Sequence, residues 1–128
     1  MTARVAIDTN ALMMPVELDV RLFDELDRLL GMYEGVSPQA VVEELRRLSE
    51  KGGQEGTAAT VGRDLATERC LIVDTEESYA DDAIVELARE GHVDYVVTND
   101  LPLRDRVLDA GIPVIALRGR NKLAITQP

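Results

Sequence analysis

The sequence is poor in the residues that build several common kinds of site. Cys70 is the only cysteine among 128 residues, which excludes an internal disulfide and a zinc cluster of cysteines. His92 is the only histidine, and it follows a helix-ending glycine, so we expect a surface turn residue rather than a general base. No apolar stretch approaches the ~20 residues that span a bilayer, and residues 1–4 do not begin a secretory leader. We therefore expect a soluble cytoplasmic protein with no membrane partner.

Lysine is also scarce, and the chain as a whole is strongly acidic. The 24 acids outnumber the 14 bases, which gives a net charge of −10, and only two of the bases are lysines. An acidic, lysine-poor chain with 3% aromatic residues is typical of a halophilic protein that stays soluble in concentrated salt. The charge disfavours nucleic-acid binding, because phosphates are repelled by a negative surface. Residues 104–128 nevertheless carry five bases and only two acids, and this segment is a candidate basic patch.

Short apolar runs alternate with helical patterns along the chain. The runs at residues 5–7, 71–73, 95–97 and 113–117 predict buried strands. Helical spacing predicts helices over residues 19–30, 38–50, 54–68, 81–90 and 103–110, with Asp19 as an N-cap. Residues 35–38 are interpreted as a connector whose Ser37 and Pro38 begin the next helix. The alternation predicts an α/β sandwich with a parallel sheet covered on both faces, and the length fits one domain over residues 1–128.

Two of the predicted strands end in similar polar triplets. Asp8-Thr9-Asn10 follows the first strand, and Thr98-Asn99-Asp100 follows the third. The carboxyl ends of parallel strands lie along one edge of a sheet, which is where open α/β sheets bind ligands. Either Asp alone is most simply a helix cap. Two such triplets together favour a site at that edge.

Two helices contribute further candidate acids. Asp81 and Asp82 open one predicted helix, where acids also favour the positive helix terminus. Helical phase places Asp81 at the border of the buried stripe and Asp82 on the far side. In the helix over residues 38–50, Glu44 flanks the core stripe and Glu43 points away.

Clustered carboxylates repel one another unless some are protonated or a cation binds among them. Oxygen ligands without histidine or thiolate suit Mg²⁺ or Mn²⁺. Such an ion can activate water for phosphodiester cleavage, and the lack of a histidine base favours water activated in this way. The cluster therefore predicts metal-dependent hydrolysis of a phosphodiester.

The order of these acids resembles the PIN-domain nucleases. The resemblance rests on "DTN" at residues 8–10, "VVEEL" at 41–45, "ADDAIVELA" at 80–88, "VVTND" at 96–100 and "IPVIALRGRNKL" at 112–123, and it is closest to the archaeal branch near the ribosome-processing type. It implies a three-layer α/β/α sandwich with a central, mainly parallel, short-stranded sheet. It also implies cleavage of single-stranded RNA by a VapC-type toxin or a ribosomal-RNA-processing nuclease, with Mg²⁺ or Mn²⁺.

The resemblance also implies roles for particular residues. The acidic site would consist of Asp8, Glu44, Asp100 and one Asp at the start of the helix over residues 81–90, and here the family pattern favours Asp82 whereas the phase favours Asp81. Thr9, Asn10, Thr98 and Asn99 would orient the carboxylates or water. RNA would be contacted by basic residues, namely Arg46, Arg47, Arg104, Arg106, Arg118, Arg120 and Lys122, each of which has a plain alternative as a surface ion-pair partner.

The partners implied by the resemblance are RNA, an antitoxin or a ribosome-assembly factor, and a second copy of the chain in a homodimer. The main alternative function is a PIN-fold module that binds RNA or protein with little or no cleavage. A pure scaffold has no evident reason to hold mutually repelling carboxylates together, which favours the nuclease.

Overall fold

The computed structural model describes residues 2–128. Within this range the chain forms six strands and six helices. The strands are β1 (Ala3–Ile7), β2 (Tyr33–Pro38), β3 (Cys70–Val73), β4 (Tyr95–Val97), β5 (Val114–Arg118) and β6 (Lys122–Thr126). The helices are α1 (Thr9–Glu17), α2 (Leu22–Leu30), α3 (Gln39–Ser49), α4 (Gly53–Arg69), α5 (Ala80–Arg89) and α6 (Leu101–Asp109).

The strands form one sheet in the order β3-β2-β1-β4-β5-β6, and every neighbouring pair is parallel except β5 and β6. Successive connections run from β1 outward to β3 and then back across to β4 and β5. Because crossovers between parallel strands are right-handed, α1 to α4 are expected on one face of the sheet and α5 and α6 on the other. The helix packing agrees, because α4 contacts α1 and α3 whereas α6 contacts α5. The predicted three-layer α/β/α sandwich with a mainly parallel sheet is confirmed.

The carboxyl-terminal halves of the central strands are apolar and buried. Val5, Ala6 and Ile7 of β1 are fully buried, as are Val96 and Val97 of β4. Strands covered on both faces lose their apolar–polar alternation, which is why continuous apolar runs identified them. The strand order reverses between β1 and β4, so the crevice outside their carboxyl ends is the switch point of the sheet.

Three elements were missed or misassigned from the sequence. Residues 35–38, expected to be a connector, form most of β2, and Pro38 is the N-cap of α3 rather than its first residue. The close approach of β3 favours glycine in β2, because a Cβ at Gly35 would lie 3.1 Å from Cys70 Sγ on the neighbouring strand. The antiparallel strand β6 and helix α1 were not predicted; α1 contains Pro15, and Pro normally interrupts a helical pattern.

The start of α2 also differs from the prediction. The helix begins at Leu22 after Arg21, so Asp19 is not its N-cap. Asp19 instead adopts φ 53°, a left-handed conformation that Asp tolerates better than most residues. It lies in the turn between α1 and α2.

Candidate active site

Asp8 connects β1 to α1, and its side chain is almost completely buried, with 2% of its surface exposed. Its Oδ2 accepts hydrogen bonds from Asn10 Nδ2 and from Thr98 Oγ1, both at 3.0 Å. Its Oδ1 is equally buried and has no hydrogen-bond partner within residues 2–128. A buried carboxylate oxygen without a donor is costly, so this atom points to a ligand that would satisfy it.

The electrostatic surroundings of Asp8 act against its ionisation. Burial raises the pKa of the carboxyl to about 7, and the nearby charges of Asp81 and Glu44 add to the effect. The nearby Thr9 backbone amide and the hydrogen bond from the Thr98 hydroxyl oppose it only in part. Without a cation, the carboxyl is therefore about half protonated at neutral pH.

A hydrogen-bond network joins the ends of β1 and β4. Asn10 Nδ2 also donates to Thr98 Oγ1 at 3.3 Å, and its Oδ1 accepts from the Asn99 backbone at 3.0 Å. Asn99 Oδ1 accepts from the Leu117 backbone of β5 at 2.8 Å. These bonds fix the polar residues predicted at the two strand ends against one another. Thr9 stays apart from the network, because its buried hydroxyl has no partner within residues 2–128.

Asp100 lies at the other strand end and caps α6. Its carboxylate accepts from the Leu103 backbone at 3.4 Å, and its own amide donates to Thr98 Oγ1 at 3.1 Å. Asp100 is therefore a helix cap, as its position after a strand suggested. The cap uses Oδ1 alone, so Oδ2 remains available to a ligand.

These acids line one cavity of about 350 Å³ at the switch point. Six carboxylate side chains border it and no Lys, Arg or His of residues 2–128 does; the acids are Asp8, Glu17, Glu44, Glu55, Asp81 and Asp100. A larger hollow of about 590 Å³ lies at the opposite edge of the sheet, beside Tyr33 and Arg69, and contains none of the strand-end acids. The smaller cavity is therefore the candidate site.

Glu17 and Glu55 were missed by sequence analysis. Glu17 ends α1, and Glu55 lies in the first turn of α4, where it pairs with Lys51 at 3.6 Å. Both are exposed, and either alone is an ordinary solvated helix charge. No local signal marks them, because only the packing of α1 against α4 brings them to the cavity.

The structure separates the two adjacent candidates on α5. Asp81 lines the cavity, and burial together with the charges of Asp100 and Glu44 raises the pKa of its carboxyl. Asp82 lies outside it and forms an ion pair with Arg106 at 3.0 Å. The preference for Asp82 is therefore not supported by the geometry, since Asp81 is the residue that the fold brings to the other acids.

The donor set fits a hard divalent cation. It consists of oxygen ligands only, it includes the unpartnered Oδ1 of Asp8, and its members repel one another. Within residues 2–128, however, no three acidic, histidine or cysteine side chains converge closely enough to form a ready-made metal site. Coordination of a cation would therefore require these side chains to move closer together.

The predicted RNA-contacting bases lie outside the cavity, and most are paired. Arg104 pairs with Asp105 at 3.2 Å, Arg106 with Asp82, and Lys122 with Glu25 at 3.6 Å. Arg46 pairs with Glu43 at 3.2 Å, and Arg47 is exposed on the same helix. The alternative interpretation, that these bases are surface ion-pair partners, is therefore correct for four of the seven residues.

Arg118 and Arg120 differ from these paired bases. Arg118 ends β5 and Arg120 lies in the β5–β6 turn; both are exposed and have no ionic partner within residues 2–128. Because β5 runs parallel to β4, this turn lies on the same edge of the sheet as Asp100.

Two further expectations concern features away from the cavity. His92 is exposed in the turn after α5 and lies 3.6 Å from Glu90, as expected of a surface turn residue. Across residues 2–128, the helices are all too short or too polar to cross a membrane.

Comparison with known proteins agrees with this architecture. A family model described as a PIN-like domain matches residues 5–120. The chain is 30% identical over 125 residues to Ribonuclease VapC4 of Methanocaldococcus jannaschii, covering 95% of each chain. A solved structure of the PIN domain endonuclease Utp24 superposes with a TM-score of 0.79 and 27% identity, covering 98% of this chain and 92% of that one.

A domain of a functionally unknown Methanocaldococcus jannaschii protein has the same fold. Its TM-score is 0.67 at 21% identity, with 94% of this chain and 95% of that chain covered. The family match spans most of the sequence and includes all four strand-end and helix acids first identified, and the ribonuclease relative covers nearly its whole length. The chain therefore belongs to the PIN-domain nucleases, a family of ribonucleases.

Proposed function

We propose that this protein is a Mg²⁺- or Mn²⁺-dependent endoribonuclease that hydrolyses single-stranded RNA at the acidic cavity. The observation that carries the proposal is the buried, unpartnered Oδ1 of Asp8 beside Glu44, Asp81 and Asp100. The similarity to Ribonuclease VapC4 and to the endonuclease Utp24 supports the same reaction class.

In this proposal Asp8 and Asp100 hold the cation, and Asp81 and Glu44 complete its surroundings. A bound Mg²⁺ or Mn²⁺ would supply a water of lowered pKa and offset the charge that develops on the phosphate. Asn10 and Thr98 hold Oδ2 of Asp8, which leaves Oδ1 as the atom available to the ion.

In this proposal Glu44 and Asp81 also accept hydrogen bonds from the attacking water. Both are partly exposed on helices that border the cavity, so their carboxylates remain free to turn toward a water molecule. The raised pKa of Asp81 favours it as the group that takes up a proton.

Arg118 and Arg120 are proposed to contact the RNA phosphates. Like Arg47 on α3, they have no acidic partner in residues 2–128, and unlike Arg47 they lie beside the strand end that carries Asp100. Arg104, Arg106 and Lys122 would first have to leave Asp105, Asp82 and Glu25. We therefore propose them as weaker contributors.

Residues 1–128 are proposed to act as one PIN-like domain that forms a homodimer. The biological role is proposed to be that of a toxin nuclease with an antitoxin partner, as the likeness to VapC4 favours, or that of an RNA-processing nuclease in ribosome assembly, as the likeness to Utp24 favours. A short antitoxin reading frame directly upstream would favour the first role.

The direct test is cleavage of a long, partly single-stranded RNA by the purified protein with Mn²⁺, with Mg²⁺ and with a chelator, from low to molar potassium chloride. Asp8→Asn is the inactivating variant, and Asp109→Asn on the exposed end of α6 is the matched control. Metal-dependent cutting that only Asp8→Asn abolishes supports the proposal. A folded wild-type protein that binds RNA at every salt concentration but never cuts it would instead favour the assembly module.

A further inference from the structure

Aromatic side chains are few in this chain, and one of them is placed unusually. The sequence has three tyrosines, one phenylalanine and no tryptophan. Phe23 is buried, and Tyr33 and Tyr95 are partly buried, whereas Tyr79 is 74% exposed. Tyr79 is the one aromatic ring of residues 2–128 that is largely exposed, and such a ring offers a flat apolar face to a ligand.

Tyr79 does not line the acidic cavity but lies close in the chain to a residue that does. It is the N-cap residue of α5, two residues before Asp81. The start of α6 shows a parallel arrangement, because Leu101 is 59% exposed and directly follows Asp100. Each of the two helices thus presents an exposed apolar side chain next to an acid that lines the cavity.

The segment that carries Tyr79 is held in place. Both carboxylate oxygens of Glu86 on α5 accept backbone hydrogen bonds from this segment, from Glu76 at 3.1 Å and from Glu77 at 2.9 Å. Thr75 Oγ1 donates to the Glu77 carbonyl at 2.7 Å. The ring is therefore displayed from an ordered turn, which lowers the entropy lost when it binds a partner.

Charge indicates what that partner is. The cavity is lined by six acids, and no base among residues 2–128 borders it, so apart from the phosphate held by the proposed cation, RNA phosphates next to it meet repulsion. A nucleobase is uncharged and offers a flat face to an aromatic ring, and stacking is tolerant of sequence. Only single-stranded RNA has bases free to stack in this way.

We propose that Tyr79 stacks on a nucleobase of the single-stranded RNA substrate beside the acidic cavity, with Leu101 packing on the same strand of RNA. This inference rests on the proposed ribonuclease function and names how that site selects unpaired RNA. It makes Tyr79 a substrate-binding residue, whereas the carboxylates carry the chemistry.

The test is steady-state cleavage kinetics of Tyr79→Ala and Tyr79→Phe, with Met32→Ala as the matched control. Met32 is 80% exposed and borders the hollow at the opposite edge of the sheet. Loss of one stacked base is expected to raise KM for RNA roughly 5- to 150-fold with little change in kcat. Tyr79→Phe retains the ring and is expected to keep the wild-type KM, as is Met32→Ala.

Abasic substrates supply the second arm. A single abasic nucleotide is moved through the positions around the mapped cleavage site. At the position whose base stacks on Tyr79, the wild-type and Tyr79→Ala proteins are expected to have equal KM, because neither protein can then form the stack. The Tyr79→Trp variant has one tryptophan, whose fluorescence is expected to be quenched by intact RNA even in high salt, because stacking is less salt-sensitive than phosphate contact.

The outcomes separate the two proposals. Wild-type protein that cleaves RNA with a KM unaffected by Tyr79→Ala would overturn the stacking inference and leave the ribonuclease intact. A Tyr79→Ala protein that changes oligomeric state in size-exclusion chromatography, with KM for RNA unchanged, would assign Tyr79 to a protein interface and also overturn it. Wild-type protein that never cleaves would remove the ribonuclease proposal, and the stacking inference with it.

Discussion

Replacing Asp8 by Asn should stabilise the protein while destroying its activity, provided that no divalent cation is present. The wild-type carboxyl titrates near pH 7 in the folded chain, against an ordinary value of 3.8. The folded state therefore binds a proton more tightly than the unfolded state, so the free energy of unfolding falls as pH rises between these two values. Asn carries no such ionisation and does not suffer this loss.

The expected magnitude follows from that difference. A shift of about three pKa units lowers the free energy of unfolding of the wild type by roughly 4 kcal/mol once the solution is above pH 7. The Asn oxygen can still accept from Asn10 and Thr98, but its amide group is buried where Oδ1 now lacks a partner. That unpaired donor costs about 1–3 kcal/mol, which leaves a net stabilisation of about 1–3 kcal/mol at high pH.

Urea unfolding followed by circular dichroism, in the presence of a chelator, measures the effect. The stability advantage of Asp8→Asn over the wild type should grow by roughly 2 kcal/mol between about pH 5.5 and about pH 8, because that interval spans the rest of the titration. Added Mn²⁺ should stabilise the wild type and not the variant. A difference independent of pH, or an Asn variant that is less stable at high pH, would refute the reasoning about this carboxyl.

Three other substitutions test separate parts of the structure. Thr98→Val removes a hydrogen bond to the buried carboxylate at the end of β1 and should lower kcat by at least about 10-fold with a preserved circular dichroism spectrum, and a wild-type kcat would contradict the orienting role. Gly62→Ala places a Cβ 2.9 Å from the backbone oxygen of Leu12, so urea unfolding should show a loss of about 1–3 kcal/mol, and an unchanged midpoint would contradict the close packing of α1 on α4. Glu25→Gln weakens the hydrogen bonds of a buried carboxylate to Arg28 and to the Leu123 backbone, which hold the pKa of that carboxyl near 2. Faster amide exchange in β6 is therefore expected, and unchanged exchange would show that β6 does not depend on these bonds.

Four of the six strands (β1, β3, β4 and β5) and the two strand-end acids were predictable because local sequence specifies them. Strands buried on both faces are continuous apolar runs, and a polar triplet directly after such a run must lie at the carboxyl edge. These features depend on the residue pattern within one element. Helical phase was a poorer guide on α5, because it predicted that Asp81 is more buried than Asp82, whereas Asp81 is exposed and Asp82 is half-buried. Asp81 is nevertheless the one of the two that lines the cavity.

The remainder depends on contacts between distant elements. Strand β2 contains Gly35, Ser37 and Pro38, which favour turns locally, and only its position between β1 and β3 makes them a buried strand. Glu17 and Glu55 reach the cavity because α1 and α4 pack closely at Gly62. No periodicity or capping signal in the sequence encodes either arrangement.

The central claim is that the four acids Asp8, Glu44, Asp81 and Asp100 form the catalytic site. The most direct measurement is single-turnover cleavage of one RNA with Mn²⁺ by four amide variants, Asp8→Asn, Glu44→Gln, Asp81→Asn and Asp100→Asn, beside Asp82→Asn and Asp109→Asn. We expect each of the four to lose at least about 100-fold in rate, as removal of a group that contacts the reacting atoms or their ion does, and the two neighbours to stay near the wild type. Cleavage that survives in the four variants, or that is lost in Asp82→Asn but kept in Asp81→Asn, would contradict the account.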